Sequence, residues 1–208
     1  MTAQAGSASS FATQRAAIRR HVRSLRQSLN SKQRHHAAEQ VASHLLRLGY
    51  LATGKRLGVY MALPEELDLS MTIALARQHY CQLFIPRIVN MRRRQMTFTP
   101  FTPEVQLRHN RWRIAEPVTR TQPIAPAHLD AILMPLVAFD SAGHRLGMGG
   151  GFYDRYCARR QWQGWKRPKL IGIAHALQQV NALPHAPHDI AMDCVITERG
   201  IVNVIHAD

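Results

Sequence analysis

Acidic residues are scarce in this 208-residue chain, where 13 Asp and Glu stand against 27 Lys and Arg and none precedes Glu39. The resulting net charge of +14 points to an anionic partner, and nucleic acid, nucleotides, polyphosphates and polycarboxylates all satisfy the same electrostatics. Cysteine is scarce too. Its three copies, Cys81, Cys157 and Cys194, are far apart, with no C-x-x-C pair and no Cys/His cluster at zinc-finger spacing. That excludes a fully paired disulfide framework and a zinc module, and it sets the expectation of a reduced, cytoplasmic protein with small buried thiols. No apolar run approaches the roughly 18 residues that a membrane span needs, so no membrane partner is expected. Hydrophobic residues nonetheless make up 46% of the chain, enough to fill the core of one domain and to exclude disorder of the whole chain.

Met1 to Gln14 is rich in Ala, Ser, Gln and Thr. The segment has the composition of an organelle transit peptide, but a short disordered leader over residues 1–13 is the simpler reading. A single domain over residues 14–208 follows. From Gln14 the apolar positions Ile18, Val22, Leu25 and Leu29 recur at helical spacing among arginines, giving an amphipathic basic helix. Asn30 and Gln33 form an N-cap signature for a second helix that carries Ala37, Ala38, Val41, Ala42, Leu45 and Leu46 and stops at Gly49. An N-terminal helical hairpin therefore opens the fold.

Beyond Gly54 the texture changes to short apolar runs, Arg56 to Met61, Leu83 to Ile85 and Ala131 to Phe139, which read as buried strands. Ser70 to Tyr80 is helical in composition with Ser70 as a candidate cap, so strand, helix, strand implies a parallel pair. Gln95 to Phe101 and Leu170 to Ala174 are further strands, Pro117 to Pro126 is a connecting loop, and Asp193 to Thr197 with Ile201 to Ile205 forms a terminal hairpin around a three-residue turn. The expected class is α/β, with a mostly parallel sheet flanked by helices.

The chemistry concentrates after the third run, in Asp140-Ser-Ala-Gly143-His-Arg145-Leu146-Gly147-Met148-Gly149-Gly150-Gly151-Phe152-Tyr153-Asp154-Arg155. A buried strand feeds a glycine-rich loop, and the loop feeds a helix. Glycines let backbone N–H groups surround a phosphate, and the helix N-terminus behind them adds about half a positive charge. The loop lacks the Lys-Ser/Thr ending of a P-loop, and Phe152 occupies the last position of a G-x-G-x-x-G pattern. The bland alternative is a flexible turn. Twelve histidines show no H-E-x-x-H; His35-His36 and His185 with His188 read as surface residues.

The run from Arg145 to Arg155, preceded by Pro135-Leu-Val-Ala-Phe-Asp140, resembles the signature of the 5-formyltetrahydrofolate cyclo-ligase (5,10-methenyltetrahydrofolate synthetase) family. Arg15, Arg19, Glu66 in Pro64-Glu-Glu-Leu-Asp68, Trp112 ahead of Glu116-Pro117, and His188-Asp189 fall in the family's order, so the resemblance covers the chain from about Gln14 onward. It implies ATP- and magnesium-dependent cyclisation of 5-formyltetrahydrofolate, with release of ADP and phosphate, on a fold related to the sugar-phosphate isomerase and CoA-transferase group. A formamide oxygen is a poor leaving group, so the implied route phosphorylates it before the neighbouring amine closes the ring.

Carried onto these positions, the resemblance makes Arg15, Arg19, Arg145 and the loop from Leu146 to Tyr153 the nucleotide site, and Asp154 and Asp189 the magnesium ligands. Arg145, Tyr153 and Asp154 are the expected catalytic residues. Glu66 is expected to accept hydrogen bonds from the pterin, with Met61, Trp112, Met148, Gly149, Gly150, Gly151 and Phe152 also contacting substrate. Plainer readings stand beside these: Asp189 as a turn residue, Arg15 as solvated helix surface, Met61 and Trp112 as core, and Glu65 as solvent-facing. The family often has a lysine where Arg15 stands and another at Gly150, so side-chain cations inside the loop are fewer here. A monomer is expected, with polyglutamylated folate attracted by the remaining basic residues. Two other classes fit the composition, a nucleotide-binding relative without turnover and a nucleic-acid-binding protein using the first helix and Arg92-Arg93-Arg94. The latter lacks an RNP-like, recognition-helix or zinc pattern.

Overall fold

The apolar runs form the centre of a seven-stranded sheet in a computed structural model that describes residues 3–110, 114–118, 121–162 and 167–204. In chain order the strands are β1 (Arg56–Gly58), β2 (Gln82–Asn90), β3 (Gln95–Pro100), β4 (Leu107–His109), β5 (Ala115–Pro117), β6 (Ala131–Pro135), β7 (Ala138–Phe139), β8 (Arg145–Leu146), β9 (Lys169–Ile173), β10 (Cys194–Thr197) and β11 (Gly200–Asn203). The helices are α1 (Ala3–Gln27), α2 (Ser31–Arg47), α3 (Ser70–Gln78) and α4 (Phe152–Trp162). The main sheet runs β11-β10-β9-β6-β1-β2-β3, its inner strands parallel and its two edge strands antiparallel to their neighbours. The α/β class with a mostly parallel, helix-flanked sheet is thus as expected. One face packs Leu57, Leu133, Ile171 and Ile196 against α2 and α3, and the other packs Ile132, Met134, Leu170 and Val195 towards α4. Burial on both faces is why these strands read as continuous apolar runs.

Local signals explain the helix ends. Asn30 accepts from the Gln33 amide and the Gln33 side chain accepts from the Asn30 amide, a reciprocal cap on α2. At the other end Gly49, at φ +74, lets Tyr50 N–H reach the Leu45 carbonyl and Gly49 N–H the Leu46 carbonyl, both at 3.0 Å. α1 begins at Ala3 rather than Gln14, in keeping with the alanines of that segment.

Several boundaries differ from expectation. β1 stops at Gly58, although Val59 N–H still bonds the Phe84 carbonyl at 2.8 Å. Ser70 is the first helical residue of α3 rather than its cap, and Asp68 accepts from its amide instead. The last hairpin turns through Glu198 and Arg199 alone, because Thr197 pairs directly with Gly200. β4 and β5, a two-stranded ribbon, are too short to show alternation in the sequence.

The break that matters most lies within the Ala131 to Phe139 run. β6 ends at Pro135, and the chain then leaves the parallel sheet to form an antiparallel ribbon between β7 and β8. Asp140, 3% exposed, closes that ribbon by accepting from the amides of Ala142, His144 and Leu183 at 2.9–3.1 Å and engaging the His144 ring at 3.0 Å. Gly143, at φ +80, sits where a Cβ would meet the Met192 carbonyl at 2.9 Å, so only glycine fits. Asp140→Ala leaves buried N–H groups without an acceptor and should cost about 3 kcal/mol of folding stability, the upper end for such a loss. A lowered urea midpoint with an unchanged m-value checks this.

Candidate active site

The parallel strands place their carboxyl ends on one side of the sheet, the side where ligands bind in open α/β folds. Four segments meet there: Tyr60 to Glu66 after β1, the outer half of β2, the loop from Gly147 to Gly151 after β8, and the arginine face of α1. Between them lies a cavity of about 570 Å³ lined by Arg15, Arg19, Met61, Glu66, Arg145, Gly147 to Asp154 and Asp189. All the anticipated site residues converge here except two. Leu146 is fully buried beneath α1 against Val22 and Val137 and does not line the cavity, because its backbone pairs with β7 and its side chain fills the core beneath α1. Trp112 lies outside the described residues.

Arg145 enters from β8, its side chain only 6% exposed, and donates from Nη2 to Asp154 Oδ1 at 2.5 Å in the first turn of α4. Its Nε is buried and makes no hydrogen bond, and its guanidinium carbon lies 5.9 Å from the Tyr153 ring centroid. Asp154 Oδ1 also accepts from the Ile190 amide at 3.3 Å, which ties α4 to the His188-Asp189 loop. Burial, with Glu66 adding, raises the Tyr153 phenol far above its ordinary range, so it stays protonated and can donate.

α1 supplies two more cations one helical turn apart. Arg15 Nη2 donates to Asp189 Oδ2 at 2.7 Å, and Asp189 Oδ2 also accepts from the Ala186 amide at 2.8 Å. Arg19 Nε donates to the Gly147 carbonyl at 2.9 Å. Burial, then Arg15 and Arg23, lower the Arg19 pKa, a field that an anion would relieve. Glu66 also lines the cavity, its pKa raised by burial against the pull of the Leu63 amide and Arg26. The Leu63 N–H donates to Glu66 Oε2 at 2.9 Å.

Glu65 is a correction. It does not simply face solvent but pairs with Arg23 and Arg26, both at 3.3 Å. Arg26 is 1% exposed, and nothing in the sequence distinguishes it from its arginine neighbours until the fold buries it. Glu116, which accepts from the Ile88 amide at 3.2 Å, also lines the cavity, as do the apolar Pro86, Met96 and Leu136 of the surrounding strands.

Of the four carboxylates that line the cavity, Asp154 and Asp189 lie beside the arginines and the glycine loop and suit a hard divalent cation that takes one or two protein oxygens and completes its shell with phosphate and water. Among the described residues no group of three or more His, Cys, Asp or Glu could cage a metal without such help, and no helix is long and apolar enough to cross a membrane.

The model of the 5-formyltetrahydrofolate cyclo-ligase family matches residues 12–198. A 5-formyltetrahydrofolate cyclo-ligase of Haemophilus influenzae is 32% identical over 178 residues, covering 84% of this chain and 92% of the relative. One from Escherichia coli is 31% identical over 177 residues, covering 85% and 96%. Among solved structures, a 5,10-methenyltetrahydrofolate synthetase of Aquifex aeolicus superposes with a TM-score of 0.77 at 26% identity, covering 93% of this chain and 94% of the other. One of Mycoplasma pneumoniae has the same fold, with a TM-score of 0.68 at 21% identity over 88% and 98%.

The half-buried Glu66 makes a sign-specific prediction. Its carboxyl binds a proton more tightly folded than unfolded, so its contribution to stability is full below the ordinary glutamate range and is lost as pH rises through the raised value. Glu66→Gln should therefore melt higher than the parent at pH 7, with the difference vanishing as pH falls towards about 4.3. Thermal melts across that range check it.

Proposed function

Since the chain belongs to the 5-formyltetrahydrofolate cyclo-ligase family, we propose that it is an ATP-dependent enzyme closing 5-formyltetrahydrofolate to 5,10-methenyltetrahydrofolate with release of ADP and phosphate. The observation that carries the reading is the convergence of Arg15, Arg19, Arg145, the glycine loop and Glu66 on one cavity. A polyanion and a pterin both find their complement there.

In this reading the loop amides and the three guanidinium groups hold the triphosphate, and catalysis is chiefly positioning and neutralisation of charge. Glu66 accepts hydrogen bonds from the pterin's N–H groups, a pairing that offsets the cost of its burial. Met61 and Phe152 pack against the ring. The formyl oxygen attacks the γ-phosphorus and ADP leaves. The neighbouring amine nitrogen then attacks the formyl carbon, loses its proton, and the C–O bond to phosphate breaks. Tyr153, held protonated, can donate to a developing oxyanion. Asp154 and Asp189 would hold Mg²⁺, which when bound neutralises phosphate charge. Arg145 orients Asp154 and faces the phosphates. A cytoplasmic monomer acting on folates, polyglutamylated ones included, is the setting this reading implies.

Purified protein mixed with ATP, Mg²⁺ and 5-formyltetrahydrofolate should generate the absorbance of the methenyl product, with one ADP formed per ring closed. Arg145→Ala should lower kcat/KM by about 10² to 10³, the loss typical of one preorganised charge-stabilising donor, and Asp154→Asn should abolish the Mg²⁺ response. No chromophore with wild-type protein, or full activity in Asp154→Asn, contradicts the assignment.

A further inference from the structure

Arg94 belongs to the β2–β3 turn, well apart from the glycine motif in the sequence, yet its side chain lines the cavity. Its backbone is at φ +50, a left-handed conformation that Gly or Asn adopts more cheaply than arginine. The turn is otherwise well made: the Arg94 amide bonds the Met91 carbonyl at 3.0 Å, and Asn90 accepts from the Arg93 amide at 2.9 Å. The local sequence therefore tolerates backbone strain at the one residue whose side chain enters the site.

The guanidinium has a specific position. A Cβ built on Gly151 would lie 3.3 Å from Arg94 Nη1, and one built on Gly149 would lie 3.8 Å from Arg19 Nη2. The glycine loop thus has cations from two unrelated elements against it, Arg19 of α1 at Gly149 and Arg94 of the β2–β3 turn at Gly151. Gly151 immediately precedes α4, so Arg94 stands at the positive end of that helix, where a cation is disfavoured. Among the described residues no carboxylate lies within ion-pair distance of Arg94, whereas Arg15 and Arg145 are already matched to Asp189 and Asp154. The opposing helix field and the missing counter-charge are both relieved by one event, the arrival of anionic oxygens over Gly151, whereas the strained backbone keeps the side chain aimed there.

We propose that Arg94 is a nucleotide-binding residue that, together with Arg19, clamps the phosphate chain against the glycine loop. The proposal rests on the reading of this cavity as the ATP site. Its ligand is the phosphate chain and not the folate's glutamate carboxylates, because Arg94 lies against the loop and the α4 N-terminus.

Arg94→Asn tests it without endangering the fold, since Asn suits the left-handed position; its urea midpoint should equal or exceed the parent's. By calorimetry with Mg²⁺ present, its Kd for ATP should rise about tenfold, the loss of one charge-assisted contact, while adenosine binding stays unchanged and Arg94→Lys recovers part of the loss. ATP affinity within twofold of wild type overturns the proposal. So does a rise in KM confined to polyglutamylated over monoglutamylated folate. An Arg94-dependent ATP affinity in protein that forms no methenyl product upholds the clamp while refuting the cyclo-ligase reading.

Discussion

Guanidinium groups, more than apolar contact, hold α1 across the mouth of the site. Val22 is the only fully buried apolar side chain of that helix among those described, and Leu25 of its apolar stripe is 36% exposed. In place of a broad hydrophobic seam, Arg15 reaches Asp189, Arg19 the Gly147 carbonyl, and Arg23 and Arg26 the Glu65 carboxylate. Arg34 of α2 adds bonds to the carbonyls of Arg26 and Leu29. Exposed pairs of this kind are individually worth little, but Arg26 is buried and its partner cannot be removed without leaving a charge in the interior. The arginine surplus that opens the chain is in large part a docking device. The cavity inherits its positive wall from that device.

Charged groups of the site are paired with one another. Arg145 with Asp154, and Arg15 with Asp189, neutralise one another across elements, which ties the loop to α4 and α1 to the His188-Asp189 loop. In the proposed function, phosphates and a divalent cation would offer each partner a stronger match, cation to phosphate and carboxylate to metal. The same four groups can serve as struts in one state and as ligands in the other. In the proposed function Glu66 is the counterpart for the pterin, half-buried at a cost that donor groups on a substrate would offset.

Much of this was legible in the sequence because the signals were local. The Asn30 and Gln33 cap, the Gly49 stop and the apolar runs depend on neighbours a few residues away, and the glycine loop announces itself by composition. What stayed hidden depended on distance. Arg94 and Glu116 enter the cavity only because the antiparallel edge and the β4–β5 ribbon fold over it, and Arg26 differs from Arg23 only by burial. The split of Ala131 to Phe139 into β6 and β7 was hidden for another reason: both halves are apolar, and the change of partner is set by Asp140 and Gly143 further on. Leu146 shows the converse, a residue inside a functional motif whose side chain serves packing.

The chemical claim at the centre of the account is that the formyl oxygen leaves as part of the phosphate. Single turnover of 5-formyltetrahydrofolate labelled with ¹⁸O in the formyl group, followed by mass analysis of the released phosphate, reads this directly. The account predicts one ¹⁸O atom in each phosphate formed. Unlabelled phosphate accompanying methenyl product would contradict it.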